Sequence, residues 1–117
     1  VIFAIHSQTM LSYLGIAFLL VAVYAEEEEA APLYNCYHCT PCLDDAMNNP
    51  TATHDRCQYC TYTETWDEGT LAEVSRTCGN GECTAYDHVN NNHGQRRVCC
   101  TGDLCNKSLD TAQAGEP

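Results

Sequence analysis

All ten cysteines of this 117-residue chain fall between Cys36 and Cys105, a window of about seventy residues. A window that short buries too little apolar surface to hold itself together unaided. It is also poor in Leu, Ile, Val and Phe and rich in Thr, Asn, Asp and Tyr. Covalent cross-links must therefore do what a core does elsewhere. Each disulfide contributes roughly 2–4 kcal/mol, so five supply on the order of 10–20 kcal/mol, against a net domain stability of about 5–15 kcal/mol. The cross-links decide whether the domain folds at all.

Disulfides need an oxidising compartment, and the N-terminal part of the chain carries a matching address. Met10 to Ala25 (MLSYLGIAFLLVAVYA) is an apolar run ending in the small-residue pattern Val23-Tyr24-Ala25. It reads as a signal peptide, residues 1–25, cleaved after Ala25 for secretion to the extracellular space. No Lys or Arg precedes it, but its sixteen residues are short for a membrane anchor, which needs about 20. Residues 1–9 read as upstream sequence or an incomplete start. Residues 26–32 (EEEEAAP) form an acidic leader or propeptide. The cysteine domain is expected over 33–106, and 107–117 (KSLDTAQAGEP) is expected to be a disordered tail. A glycolipid anchor would need a hydrophobic C-terminal stretch of roughly 10–20 residues. Leu109 is the only large aliphatic residue after Asn106, so a soluble protein is expected if the chain ends here, and a glycolipid-anchored one is the alternative if the C-terminus extends further; a monomer is expected.

All sixteen acidic and five basic residues follow Ala25, and the mature chain keeps the net charge of −11. That balance excludes nucleic acid, whose phosphates call for clustered Lys and Arg. It also opposes adsorption to anionic membranes, so no direct membrane insertion is expected. The expected partner is a protein with a basic face.

Two cysteine clusters bracket long arms. Between Cys36 and Cys57 the chain turns at Asn48-Asn49-Pro50. Between Cys60 and Cys78, TYTETWDEGTLAEVSRT places strand-forming Tyr, Thr and Val on both sides of a Trp66-Asp67-Glu68-Gly69 turn. Between Cys83 and Cys99, TAYDHV and QRRV flank NNNHG, rich in residues that tolerate positive φ. Each excursion thus turns near its middle, as a hairpin would. LAEVSR has the alternative of a helical turn, but it is too short and uncapped to stand alone. The fold class is small, disulfide-rich and all-β. The last cluster, CCTGDLCN, sets two cysteines side by side. Adjacent residues on a strand point to opposite faces, so Cys99 and Cys100 serve different partners.

Cys39-Thr-Pro-Cys42 and Cys57-Gln-Tyr-Cys60 are two CxxC pairs fourteen residues apart. In a reducing compartment they would offer four thiolates to zinc; secretion and six further cysteines favour disulfides. A redox role for CTPC would need a helix N-terminus to lower a thiol pKa, and none is legible. His38, His54, His88 and His93 are scattered among polar residues, with no nucleophile elbow to serve. The adjacent acids Asp44-Asp45 and Asp67-Glu68 read as solvated surface rather than as an acid and base pair. No enzyme, cofactor or metal site is expected.

LYNCYHC (Leu33 to Cys39) and CCTGDLCN (Cys99 to Asn106) resemble the first strand and closing knot of three-finger proteins. That family includes snake three-finger toxins and domains of the lymphocyte antigen six and urokinase receptor type. The resemblance spans Leu33 to Asn106. It implies three hairpin-like loops from a disulfide hub, with pairs Cys36–Cys60, Cys39–Cys42, Cys57–Cys78, Cys83–Cys99 and Cys100–Cys105. It also implies that Asn106 hydrogen-bonds back into the hub, although Asn106-Lys107-Ser108 is a glycosylation sequon. The chain departs from the family in its tight Cys57–Cys60 gap and in the short Cys39–Cys42 span.

The resemblance implies a secreted, non-enzymatic protein that binds a cell-surface receptor or ion channel. It would be a toxin-like effector, or alternatively an endogenous signalling or adhesion modulator. Trp66 at the second turn is the candidate contact, because Trp is over-represented among interface hot spots. Glu64, Asp67 and Glu68 are expected to surround it with negative charge. Receptor-blocking toxins carry an Arg before the glycine of this tip; here Glu68 stands there, so mimicry of a cholinergic cation is not expected.

Overall fold

The computed structural model describes residues 31–117; the signal-like segment and most of the acidic leader lie outside the described residues. The chain runs through β1 (Tyr34–Tyr37), β2 (Cys39–Cys42), a 3-10 turn (Asp44–Met47), β3 (Thr53–Cys57), β4 (Tyr59–Asp67), β5 (Thr70–Gly79), β6 (Tyr86–Asp87), β7 (Gly94–Cys100) and a short helix α1 (Leu109–Ala114). All pairings between these strands are antiparallel. β1 and β3 form a two-stranded sheet, and a five-stranded sheet has the order β2-β5-β4-β7-β6. LAEVSR lies within β5, so the extended alternative is the one adopted.

Turn chemistry sets the two long hairpins. Glu68 and Gly69 join β4 to β5 with φ of 50° and 80°. Positive φ at both positions gives the twist that matches paired strands, and glycine adopts it without penalty. Between β6 and β7 the same device uses Asn91 and Asn92, with φ of 52° and 59°, closed by a bridge between Asn90 and His93.

The sulfurs converge at the opposite end. Cys36 bonds Cys60, Cys57 bonds Cys78, Cys83 bonds Cys99 and Cys100 bonds Cys105. Cys99 and Cys100 serve different loops, as opposite-facing neighbours on β7 should. The fifth pair, Cys39–Cys42, stands apart. It lies on β2, which leaves the first arm and adds itself to the edge of the large sheet beside β5. The disulfide closes a local loop within β2, and it is the backbone pairing of β2 with β5 that holds the insertion between β1 and β3 to the large sheet.

The interior is small and mostly sulfur. Cys36, Cys57, Cys60 and Cys100 are fully buried, with Tyr62, Val74 and Val98 beside them. Two polar side chains, Asn106 and Arg76, are fully buried within it. The Asn106 amide nitrogen donates to the carbonyls of Tyr37 and Thr61, both at 2.9 Å, and its oxygen accepts from the Tyr37 N–H at 3.0 Å. One side chain therefore ties the small sheet to the large one. Arg76, on β5, donates to the carbonyls of Ala46, Met47, Asn106 and Lys107 at 2.7–3.2 Å. It also lies over the Tyr62 ring at 5.3 Å. Burial lowers its pKa, yet the carbonyl cage and the ring stabilise the cation.

The C-terminal stretch corrects an expectation. Residues 107–117 were expected to be a disordered tail, but Leu109–Ala114 is helical. Ser108 caps it: the hydroxyl accepts from the Thr111 N–H, and the Thr111 side chain accepts from the Ser108 N–H. Ala112 is fully buried, and the Thr101 N–H donates to the Gly115 carbonyl at 2.9 Å. A segment with little apolar content orders here because one small side chain fits against the core and a reciprocal cap satisfies its first turn.

Candidate recognition surface

The tips of the second and third arms form one surface. Trp66 on β4 stands opposite Gly94 on β7. Beyond it the Gly69 N–H donates to the Asn92 carbonyl at 3.0 Å, joining the two turns by backbone. Across the same seam His93 Nδ1 sits 3.3 Å from Asp67 Oδ1, both side chains well exposed. Within the third arm, Gly94 lets the backbone at His88 pass close against β7. Its φ is 126°, and a Cβ there would lie 2.0 Å from the His88 carbonyl oxygen.

The four residues singled out in the sequence take different places. Asp67 and Glu68 are exposed at the turn. Trp66 is half-buried. Glu64 is only 4% exposed, and this corrects the expectation that it adds surface charge. On β4 the side chains of Cys60, Tyr62, Glu64 and Trp66 share one face, and the carboxylate is enclosed by its neighbours. Its Oε1 accepts from Trp66 Nε1 at 3.1 Å and its Oε2 from the Tyr62 hydroxyl at 3.2 Å. Arg96, opposite it on β7, places Nη1 3.5 Å from Oε1.

Arg96 extends the row onto β6, donating from Nε to Asp87 Oδ2 at 3.1 Å. A hydrogen bond from the Val89 N–H, with Arg96 alongside, holds the Asp87 carboxyl below its usual range. Arg97 faces the other way, 5.1 Å over the Tyr86 ring. A cleft of about 250 Å³ beside them is lined by Tyr86, Asp87, Arg96, Arg97, Gln113 and Glu116 among others. The paired arginines are thus matched within the fold by Glu64, Asp87 and Tyr86. The acids exposed at the tip of the second arm are Asp67, which faces His93, and Glu68.

Asn106 belongs to the interior, and all ten cysteines are in disulfides, so neither CxxC pair offers a thiolate. Arg76 was not singled out in the sequence, although the inward alternation Val74, Arg76, Cys78 carried a signal for it. Among the described residues, no helix is long and apolar enough to cross a membrane. No family model, curated protein or solved structure matches the chain.

Proposed function

We propose that this chain is a secreted, non-enzymatic recognition module of the three-finger type, and that it binds an extracellular protein, a receptor or ion channel, through the joined tips of its second and third arms. The observation that carries this reading is the half-buried Trp66 beside the exposed acids Asp67 and Glu68. A large aromatic with its N–H already satisfied offers apolar contact at little desolvation cost. The surrounding acids suit a basic rim and would act mainly on the rate of association. Support for the three-finger assignment comes from three antiparallel arms, four disulfides at their common base and Asn106 bonded back into that base. Five disulfides in so small a domain fit an oxidising compartment.

The test is saturable, protease-sensitive binding of labelled, oxidised protein to intact cells. Trp66→Ala is expected to weaken binding by about 2 kcal/mol or more. Neutralising Asp67 and Glu68 together should slow association and flatten its salt dependence. Unchanged binding by folded Trp66→Ala, or loss of binding only on replacing Arg96 and Arg97, overturns the reading.

A further inference from the structure

Glu64 poses a physical question. A buried carboxylate is retained only when specific partners compensate its lost hydration, and a well-packed apolar residue in its place is often no less stable. Its position is not needed to relieve Arg96, whose side chain is 27% exposed and bonds Asp87 as well. Nor does the carboxylate reach solvent to meet a partner, at 4% exposure. Besides Arg96 Nη1, 3.5 Å from Oε1, it touches the indole N–H of Trp66 through Oε1 and the Tyr62 hydroxyl through Oε2.

Resting on the recognition reading of Trp66, we propose that Glu64 is a positioning residue: its buried carboxylate, braced by Tyr62 and by the Arg96–Asp87 pair, fixes the orientation of the Trp66 indole for binding. The row Glu64–Arg96–Asp87 crosses β4, β7 and β6 in register, so it also locks the second arm to the third directly beneath the tip. The indole is then presented in one pose, and a partner does not have to immobilise it. Removing that ordering cost is how a preorganised contact gains affinity.

Trp66 is the only tryptophan in the chain, so its N–H and its fluorescence report this contact alone. The proposal is tested with Glu64→Gln and Glu64→Leu in the oxidised protein. Gln keeps an acceptor for the indole N–H; Leu fills the space without one. Hydrogen exchange of the single indole N–H and acrylamide quenching of its emission are the readouts on the isolated protein. Glu64→Leu should speed indole exchange by about tenfold or more, the equivalent of about 1.4 kcal/mol, and increase quenching. Glu64→Gln should restore most of the protection. Backbone circular dichroism and thiol content should stay at wild-type values in both. If Glu64→Leu folds and leaves exchange and quenching unchanged, packing alone holds the indole and the proposal is wrong.

Should Glu64→Leu fail to fold, Arg96→Met provides the second arm, because it removes the brace while leaving the acceptor. Faster exchange in that variant supports the row, and wild-type exchange overturns it. Binding to intact cells separates this proposal from the reading it rests on. Glu64→Leu should weaken binding in step with its loss of indole protection. If Trp66→Ala binds normally while Glu64→Leu still frees the indole, the recognition reading fails and the positioning geometry stands.

Discussion

Asn106 makes three hydrogen bonds from a fully buried amide, two from its nitrogen and one to its oxygen. Both N–H bonds of the amide are used, so the sequon Asn106-Lys107-Ser108 cannot carry a sugar in the folded domain. Protein secreted from a glycosylating host should show no mass change on glycosidase treatment. Asn106→Ala leaves the Tyr37 and Thr61 backbone groups unpaired, and should destabilise the domain by about 2–4 kcal/mol in denaturant titration. Tyr62 gives a second residue-level expectation. Burial, then the charge of Glu64 and its hydrogen bond, push the phenol from 10.0 up to about 12. Because the folded value is raised, the fold favours the neutral phenol. That contribution is fully present below the unfolded pKa near 10 and is lost as pH rises through 12. The size of the shift limits it to about 2–3 kcal/mol at most. Tyrosinate absorbance should include a component near pH 12 that disappears in Tyr62→Phe.

Helix α1 carries the expectation at the level of elements. Six residues do not make a stable helix alone, so α1 exists through its cap and through Ala112. Ser108→Ala should cost about 1 kcal/mol. Ala112→Leu should cost about 1–3 kcal/mol by overpacking a site that admits a methyl. Both would appear as lower denaturant midpoints, and wild-type stability of both variants would show that α1 contributes nothing. How much of this architecture the sequence discloses depends on how local each cause is. The turns are legible because Gly69 and the Asn91-Asn92 pair accept positive φ on their own account. The helix was missed because its stabilisation comes from a single small side chain meeting a distant core. Arg76 was missed for a related reason: its partners, residues 46, 47, 106 and 107, lie far away along the chain. Glu64 was misplaced because the alternation Tyr-Thr-Glu-Thr-Trp does not say which face is covered.

In the whole molecule the disulfides are unequal. Cys36–Cys60 closes a separation of 24 residues, whereas Cys39–Cys42 closes 3. By loop-closure entropy these are worth about 3.4 and 1.6 kcal/mol respectively. Replacing both Cys39 and Cys42 by Ser should therefore leave a folded protein of reduced stability. The same change at Cys36 and Cys60 should abolish the folded state, as full reduction should. Proteolysis and near-ultraviolet circular dichroism distinguish these outcomes. Equal tolerance of the two double variants would mean that the interior carries more of the stability than its small size suggests.

The backbone also brings the beginning and end of the domain together. The Leu104 N–H donates to the Asn35 carbonyl at 2.7 Å, and Asp103 accepts from the Asn35 N–H at 2.9 Å. The residues after α1 return to this same loop, where the Gly115 carbonyl accepts from the Thr101 N–H, so both ends of the domain leave from the base, while β4 carries the tips about 25 Å away at 3.3 Å per residue. Such a unit can be spliced into a surface loop of an unrelated host protein with little distortion of either. Spliced in that way, it would stand off the host like a tool on a handle, with its working edge facing outward.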